Sequence, residues 1–337
     1  MKTKILHHNE PHALNQAAEL LLQGDVVALP TETVYGLAAN ASDPVALKKI
    51  FDAKGRPSNH PLIVHIQSVA TLSTWATNIP EQAYQLAAAF WPGPLTLVLE
   101  KAPWVPYEVT GGQNTIAVRV PANPIMQTVL NLSGLGLAAP SANLYKKISA
   151  TTAEHVYAGL AGRIPMIIDG GSCAFGIEST ILDVTRTPPR ILRAGPITAS
   201  DIALVLSQDI DAPKEHDISI SGNIKSHYQP NANLFLMSAK EIKEALITMS
   251  GEIGVFLYSA HLCDDLLTLT KISLPNKNIL LKQLPNEKVR YAALMYTTLH
   301  ELDKARVDNI LVEHPPNTEA WLDVIDRLKR ASSSKAI

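Results

Sequence analysis

Cysteine is scarce in this sequence, and its two copies are not grouped. Cys173 and Cys263 are the only cysteines among 337 residues, and they lie far apart. Disulfide frameworks use several cysteines in a short secreted chain, and zinc sites use closely spaced cysteines, alone or together with histidines. The sequence therefore predicts neither kind of site, and we expect both cysteines to be small buried residues.

Long apolar runs and an excess of one charge are also lacking. No segment reaches the roughly 18 continuous apolar residues of a membrane helix, and residues 1–10 contain no apolar run before a small-residue cleavage site. The formal net charge is −2, and residues 1–206 carry 14 basic and 14 acidic side chains. Domains that bind nucleic acid are usually markedly basic. We therefore expect a cytoplasmic protein with no membrane segment and no stable nucleic-acid binding.

Apolar residues make up 46% of the chain, which is enough for a full core, and the length favours two domains. Short β-like runs alternate with helical patterns, which predicts an α/β fold with a twisted mixed sheet and flanking helices. We expect a first domain over residues 1–206 and a polar linker or lid over 207–233. A smaller Rossmann-like α/β domain should follow over 234–337.

Local signals place some of the helices. Asp43 and Pro44 are typical of a helix start, with aspartate as the N-cap and proline in the first turn, and this helix should end near Ala53. In the smaller domain, one long helix ending at Arg306 is expected after a strand over 253–258. No Gly-x-Gly-x-x-Gly motif follows a strand there, so dinucleotide binding is not predicted.

Alternation along two predicted strands separates their faces. Over 115–120 the even-numbered residues are apolar, so Arg119 points to the opposite face. Over 62–66 the same alternation places His65 opposite the apolar even-numbered residues. From this pattern alone, a surface salt bridge for Arg119 and a hydrogen-bonded core position for His65 are favoured over a ligand site.

Four short polar segments stand where predicted strands begin or end. They are 30–36 (PTETVYG), 54–57 (KGRP), 140–143 (PSAN) and 176–180 (GIEST). In α/β proteins the strands fix the geometry and the loops at their ends carry the chemistry, so we expect one composite site. Lys54 and Arg56 either converge there on one polyphosphate or remain two solvated charges at a helix end.

In this order, the four segments resemble the YrdC-like family, and the chain length points to its two-domain members. The resemblance implies an ATP-dependent nucleotidyltransferase that joins L-threonine and bicarbonate to AMP and releases pyrophosphate. It implies Mg²⁺ bound with ATP and no other cofactor, and it leaves any protein ligands of the metal unknown. The product would pass to threonylcarbamoyl transferase machinery that forms threonylcarbamoyladenosine in tRNA.

The resemblance also assigns site residues, position by position. The residues assigned to L-threonine are Thr33, His65, Arg119, Ala139 and Ser179. The residues assigned to ATP are Lys54, Arg56, His60, Thr115, Ser141, Asn143, Ser149, Arg193 and Tyr228. Lys54 and Arg56 would also be catalytic, because they neutralise charge on the polyphosphate. Arg119 would hold the threonine carboxylate by a bidentate contact that lysine cannot make.

The chain departs from the family pattern at three places. His60 stands where asparagine is usual, residues 145–148 replace a Ser-Gly-containing stretch, and Ser226 stands where arginine is expected. The linker around residues 215–232 would either close over ATP, with Tyr228 as its contact, or serve as a passive tether.

Other functions remain open from the sequence. A YrdC-like module without catalysis would bind RNA, although the balanced charge disfavours it. A carbamoyl-transfer domain that acts on another carbamoyl adenylate and a cysteine hydrolase built on Cys173 are further alternatives. A Walker A motif is excluded, because Ile177 and Glu178 follow the glycines at 171 and 176 where lysine and serine or threonine are required.

Overall fold

The computed structural model describes residues 1–212, 218–220, 227–273 and 278–332, without the side chains of residues 270–273. The chain divides into two compact units. The first unit comprises Met1–Tyr145 and Ser149–Asn223, and the second comprises Lys146–Ile148 and Ile224–Ile337. The boundaries expected at residues 206 and 233 stay predictions.

Within the described residues, the first unit contains a mixed sheet of 11 strands. The strands are β1 (Lys4–His7), β2 (Val27–Leu29), β3 (Gly36–Asn40), β4 (Ile63–His65), β5 (Ala76–Thr77), β6 (Leu95–Lys101), β7 (Thr115–Arg119), β8 (Leu137–Ala138), β9 (Met166–Asp169), β10 (Thr180–Asp183) and β11 (Arg190–Arg193). Their order is β1-β9-β2-β3-β8-β4-β7-β6-β10-β11, with β5 paired to β6. The helices are α1 (Ala13–Leu22), α2 (Pro44–Lys54), α3 (Leu72–Trp75), α4 (Glu81–Phe90), α5 (Tyr107–Thr110), α6 (Pro124–Ser133), α7 (Ala153–Leu160) and α8 (Ala199–Leu206).

The central strands of this sheet are buried on both faces. Ile116 and Val118 of β7 join the main apolar core, while Ile63 of β4 belongs to a separate cluster with Val98 of β6. This arrangement confirms the predicted alternation along β4 and β7. It also places polar side chains such as Arg119 and His65 inside the protein, where each needs a partner or a ligand.

Helix α2 begins and ends as its sequence predicts. Asp43 is the N-cap, since its Oδ1 accepts a hydrogen bond of 2.8 Å from the Val45 N–H, and Pro44 occupies the first turn. Gly55 ends the helix with a φ of 62°, a left-handed conformation that suits glycine. This C-terminus delivers Lys54 and Arg56 to one loop.

The second unit is a smaller α/β unit whose described strands form a parallel sheet of 4 strands in the order β12-β15-β13-β14. Its strands are β12 (Asn233–Met237), β13 (Ile253–Leu257), β14 (Ile279–Gln283) and β15 (Asn309–Glu313). Its helices are α9 (Ala239–Thr248), α10 (Ala260–Ser273), α11 (Lys288–Lys304) and α12 (Leu322–Ala331). The predicted fold class is confirmed for both units.

One helix prediction is wrong. The single long helix expected before Arg306 is instead α10, strand β14 and α11. Proline at 285 lacks an N–H donor and disfavours a continuous helix, and the apolar run that opens β14 suits a strand.

The structure describes only part of the segment that was expected to form a lid over ATP. Ser226 and half of the proposed lid over 215–232 lie outside the described residues. Cys173 and Cys263 are both buried and unpaired, as predicted. Among the helices that the structure describes, none is both long and apolar enough to cross a membrane.

Candidate functional site

The four polar segments meet in the first unit. Residues 139–143 run beside the segment 30–36, since the Leu37 N–H donates to the Pro140 carbonyl at 2.8 Å and the Ala142 N–H donates to the Tyr35 carbonyl at 2.7 Å. A Cβ at Gly36 would lie 3.0 Å from the Ala139 Cβ, so glycine permits this close approach. These two segments therefore lie side by side, as one composite site requires.

The remaining two segments join the same cluster through main-chain and side-chain contacts. The Phe175 N–H donates to the Glu32 carbonyl at 2.8 Å, and the Tyr35 hydroxyl donates to the Gly171 carbonyl at 2.8 Å. At the end of α2, the Tyr145 N–H donates to the Lys54 carbonyl at 2.9 Å.

Lys54 is a buried cation held by neutral oxygens. Its Nζ donates to the Ser141 carbonyl at 2.5 Å and to the Asn143 carbonyl at 2.7 Å. Among the described residues it has no carboxylate partner. Burial first and the nearby Arg56 charge second hold the Lys54 pKa well below its ordinary value. With no carboxylate beside it in the described part of the chain, the charged form of Lys54 would be stabilised by an anionic ligand.

Arg56 lies beside Lys54 and is also buried. One of its terminal nitrogens donates to the Pro61 carbonyl at 3.1 Å. Lys54 and Arg56 are therefore two neighbouring buried groups and not two solvated charges at a helix end. This arrangement favours the polyphosphate interpretation of the KGRP segment.

Arg119 is surrounded by three acceptors. Its Nε donates to the Gly93 carbonyl at 3.0 Å, and its two terminal nitrogens donate to Thr33 Oγ1 at 3.0 Å and Glu32 Oε1 at 2.5 Å. A guanidinium has five N–H donors, so these contacts leave two, one on each terminal nitrogen. That remainder is what a bidentate contact with a carboxylate requires.

Glu32 is the carboxylate that balances Arg119, and because both residues are buried, the surface salt bridge favoured by the strand pattern is wrong. Burial acts to raise the pKa of Glu32, but the Arg119 charge and hydrogen bonds, including one from the backbone of Ala122, hold this pKa below its ordinary value of 4.5. Glu32 is therefore ionised at neutral pH. The pair places a negative and a positive group side by side in a buried position, an arrangement complementary to a zwitterionic amino acid.

His65 lies opposite Arg119 in the register of β4 and β7. It is buried, and its Nδ1 makes no hydrogen bond within the described part of the chain. Burial and the Arg119 charge lower the His65 pKa to about 3, so its imidazole is neutral at physiological pH.

Ser179 and Arg193 form the next part of the cluster. Arg193 donates from Nε to the Ser179 carbonyl at 3.1 Å and from Nη2 to the Ser179 hydroxyl at 3.1 Å. The Ser179 hydroxyl also lies 2.8 Å from the Thr96 hydroxyl. One residue assigned to ATP and one assigned to threonine are therefore in direct contact.

Other predicted residues lie around this centre. Ser149 donates to Glu178 at 2.6 Å, and both residues are buried. Thr115 opens β7 and borders an apolar pocket that is also lined by Ile218 and Ile220 of the linker.

Two departures from the family pattern lie against each other. The His60 and Tyr145 rings meet edge to face with centroids 5.7 Å apart, and the Tyr145 hydroxyl lies 3.4 Å from His60 Nε2. The next residues, Lys146 and Lys147, belong to the second unit, where the Lys146 carbonyl accepts a hydrogen bond of 2.8 Å from the Gln229 N–H.

Tyr228 also belongs to the second unit. It is buried, its ring stacks on Tyr296 with centroids 5.7 Å apart, and the Arg327 guanidinium lies 5.6 Å from its centroid. Its assignment to ATP stays a prediction.

The sequence interpretation missed Glu32 and Thr96 as site residues. Glu32 lies inside the segment 30–36, where an acidic residue at a buried strand end was a signal for a role in the site. Thr96 is the one polar residue in the apolar run 95–99, and it is fully buried. Each of these residues contacts a partner that is distant in sequence. Glu32 and Arg119 are 87 positions apart, and Thr96 and Ser179 are 83 positions apart.

This fold and site define a two-unit α/β protein of the YrdC type, and comparison with known proteins makes the assignment specific. A family model described as "Telomere recombination" (Sua5_yciO_yrdC) matches residues 19–195. A second model, described as "Threonylcarbamoyl-AMP synthase, C-terminal domain", matches residues 197–333.

Curated relatives match the whole length. The threonylcarbamoyl-AMP synthase of Pyrococcus abyssi (strain GE5 / Orsay) is 38% identical over 335 residues, covering 95% of this chain and 94% of the relative. That of Bacillus subtilis (strain 168) is 38% identical over 354 residues, covering 99% and 97%. The crystal structure of P. abyssi Sua5 complexed with L-threonine matches with a TM-score of 0.88 and 36% identity over 98% of each chain. The chain therefore belongs to the threonylcarbamoyl-AMP synthase family and is an enzyme of the nucleotidyltransferase type.

Proposed function

We propose that this chain makes L-threonylcarbamoyladenylate from L-threonine, bicarbonate and ATP and releases pyrophosphate. The observation that carries this proposal is the environment of Lys54. Its buried ammonium rests on two carbonyl oxygens, which solvate a cation without neutralising it, and the Arg56 charge lies beside it. A polyphosphate would supply the missing negative charge.

The amino-acid end of the site is formed around Arg119 and Glu32. The two unused N–H groups of Arg119 would bind the carboxylate of L-threonine, and ionised Glu32 would favour the nearby ammonium group. The complex of P. abyssi Sua5 with L-threonine supports this choice of substrate. Thr33, His65, Ala139 and Ser179 would complete the pocket.

The chemistry needs no protein nucleophile. Bicarbonate would give carbon dioxide and hydroxide, and the threonine ammonium would lose one proton to that hydroxide. The neutral amine would then attack carbon dioxide to give a carbamate, with a second proton released to solvent. A carbamate oxygen would then attack the α-phosphorus of ATP, and the bond to the leaving pyrophosphate would break. Lys54 and Arg56 would stabilise the charge that develops on the polyphosphate.

Two side chains near the site fit supporting roles rather than acid–base or nucleophilic ones. Burial raises the pKa of the Cys173 thiol to about 12, so it stays protonated and is a poor nucleophile at neutral pH. The His65 pKa of about 3 means that its imidazole would not retain a proton taken from the threonine amine. We assign His65 to hydrogen bonding with the amino acid.

Magnesium would enter with ATP. No group of three or more acidic, histidine or cysteine side chains within the described residues could hold a metal ion. Mg²⁺ commonly keeps several waters and binds substrate phosphates, so a protein cage is not required. When bound, it would neutralise part of the polyphosphate charge, while Lys54, Arg56 and the 141–143 segment would hold the phosphates.

The adenylate would then serve a threonylcarbamoyl transferase that modifies tRNA. The other positions assigned to ATP, namely His60, Thr115, Ser141, Asn143, Ser149, Arg193 and Tyr228, are part of this proposal.

The deciding experiment measures pyrophosphate release by the full chain with Mg-ATP, L-threonine and bicarbonate. We expect release only when all three substrates are present, together with a new adenylate identified by mass. Matched reactions omit each substrate in turn or replace L-threonine with L-valine, which keeps the shape but lacks the hydroxyl. Absence of pyrophosphate and adenylate in the complete mixture would overturn the proposal, and RNA binding in that case would favour the non-catalytic alternative.

A further inference from the structure

The hydrogen bond between Thr96 and Ser179 has a direction that the surrounding donors determine. Thr96 lies on β6 and is fully buried, and its Oγ1 is 2.8 Å from Ser179 Oγ. The parallel pairing of β6 with β10 brings the two residues together, since Thr96 is in register with Ile181 and Ser179 directly precedes β10.

Arg193 uses one acceptor position of the Ser179 hydroxyl. A guanidinium only donates, so the contact of 3.1 Å from Arg193 Nη2 makes Ser179 Oγ an acceptor. A hydroxyl oxygen has two acceptor positions, which leaves one more position on Ser179 for Thr96.

Thr96 must use that second position. Among the described residues, the only hydrogen-bond partner of its hydroxyl is Ser179. A buried hydroxyl that donates to nothing is costly, so the Thr96 proton points at Ser179 Oγ. With both acceptor positions filled, the Ser179 proton has no acceptor among the described residues and is available to a ligand.

We propose that Thr96 is a positioning residue that makes Ser179 a hydrogen-bond donor to an acceptor oxygen of the bound amino acid. This inference rests on the proposed function, because it takes L-threonine as the ligand of Ser179. Thr96 itself would not touch the substrate. Its hydroxyl would set the direction of the Ser179 proton before the ligand arrives, which reduces the ordering required on binding.

The test uses titration calorimetry of the full chain with L-threonine, and separately with ATP. Thr96→Val keeps the shape of the side chain and removes the hydroxyl, while Thr96→Ser keeps the hydroxyl. We expect Thr96→Val to weaken L-threonine binding by roughly 2- to 12-fold, the range for one neutral hydrogen bond, with ATP binding unchanged. Thr96→Ser should bind L-threonine as the parent protein does.

A double-mutant cycle with Ser179→Ala separates positioning from packing. Once Ser179 has no hydroxyl, adding Thr96→Val should not weaken L-threonine binding further. Thermal unfolding gives a second readout that does not depend on a ligand. Ser179→Ala leaves the Thr96 donor unsatisfied and should lower Tm, and adding Thr96→Val should recover part of that loss.

The outcomes are distinguishable. If the parent protein binds L-threonine and Thr96→Val binds it equally well, this inference is wrong while the proposed function stands. Equal losses for both ligands without rescue by Thr96→Ser would make Thr96 a packing residue and would also overturn it. If the parent protein does not bind L-threonine, the proposed function fails and the inference fails with it. Should Thr96→Val not fold, the Tm and L-threonine affinity of Thr96→Ser and Ser179→Ala still decide between these outcomes.

Discussion

Lys54 in the first unit and Lys288 in the second place their ammonium groups against different kinds of oxygen. Lys288 Nζ lies 2.6 Å from the Asp323 carboxylate, which carries the opposite charge. Lys54 Nζ lies 2.5 and 2.7 Å from two backbone carbonyls, which carry no net charge. Among the described residues, Lys54 therefore has no group of opposite charge beside it, whereas Lys288 is paired with a carboxylate.

The two units also differ in their buried carboxylates. Arg119 and hydrogen bonds overcome the effect of burial and lower the pKa of Glu32. For Asp323 burial dominates, and its pKa is raised above the ordinary value of 3.8 despite the charge of Lys288. Charge pairing alone thus does not indicate a ligand site. A ligand site is indicated where a buried charged group has no opposite charge beside it, or where it keeps a hydrogen-bond donor that no protein group accepts.

The largest effect should come from removing the two lysine charges in turn. Lys54→Met should lower kcat by about 10²- to 10³-fold, because it removes charge stabilisation from the polyphosphate, and should cost little stability, since burial of that charge is itself unfavourable. Lys288→Met should leave kcat unchanged and lower Tm, because Asp323 loses its partner. Steady-state pyrophosphate release and thermal unfolding check both variants. A normal kcat for Lys54→Met, or a large kcat loss for Lys288→Met, would break the comparison.

A smaller effect is expected at the arginines. Arg119→Lys should raise the KM for L-threonine by roughly 10- to 150-fold, since a charged hydrogen bond contributes about 1.5–3 kcal/mol and lysine cannot bind a carboxylate at two points. The KM for ATP should change little. Arg190→Lys is the matched control, because Arg190 is likewise buried and paired with a carboxylate, that of Asp183, and it should change neither KM. Equal increases in both KM values for Arg119→Lys would mark Arg119 as structural.

The smallest effect concerns acid stability. In the folded chain the Glu32 pKa lies below 4.5, so its contribution to stability is present above about pH 4.5 and is lost as the pH falls through the folded pKa. Glu32→Gln should therefore flatten the acid-side loss of stability. Asp323 has the opposite sign, because stability should fall as the pH rises from 3.8 through its raised pKa, and Asp323→Asn should remove that slope.

The tryptophans allow the acid effect to be assigned to a unit. Trp321 is the only one of 4 tryptophans beyond residue 223, so a Trp321→Phe background restricts tryptophan fluorescence, excited selectively at ~295 nm, to the first unit. Urea unfolding of that background, with and without Glu32→Gln, should be compared between pH 3 and pH 6. Identical pH slopes would show that the Glu32–Arg119 pair does not contribute to acid stability.

Much of the local structure was predictable. The Asp-Pro start of α2, its end at Gly55 and the faces of β4 and β7 follow from capping chemistry, glycine conformation and two-residue alternation, all of which act between close neighbours. The helix expected to end at Arg306 was wrong because a run of apolar residues fits a short strand as well as a helix. Pairing with β13 decides in favour of a strand at β14.

The sequence by itself determined the α/β class and the positions of the four polar segments. The tertiary structure decided that Lys54 and Arg56 are buried and not solvated. The tertiary structure decided the partner of each buried group: Glu32 for Arg119, two carbonyls for Lys54, and Thr96 with Arg193 for Ser179. These partners come from strands and loops far apart in the chain. Local preferences act over only a few residues, whereas the register between distant strands is set by packing of the whole sheet.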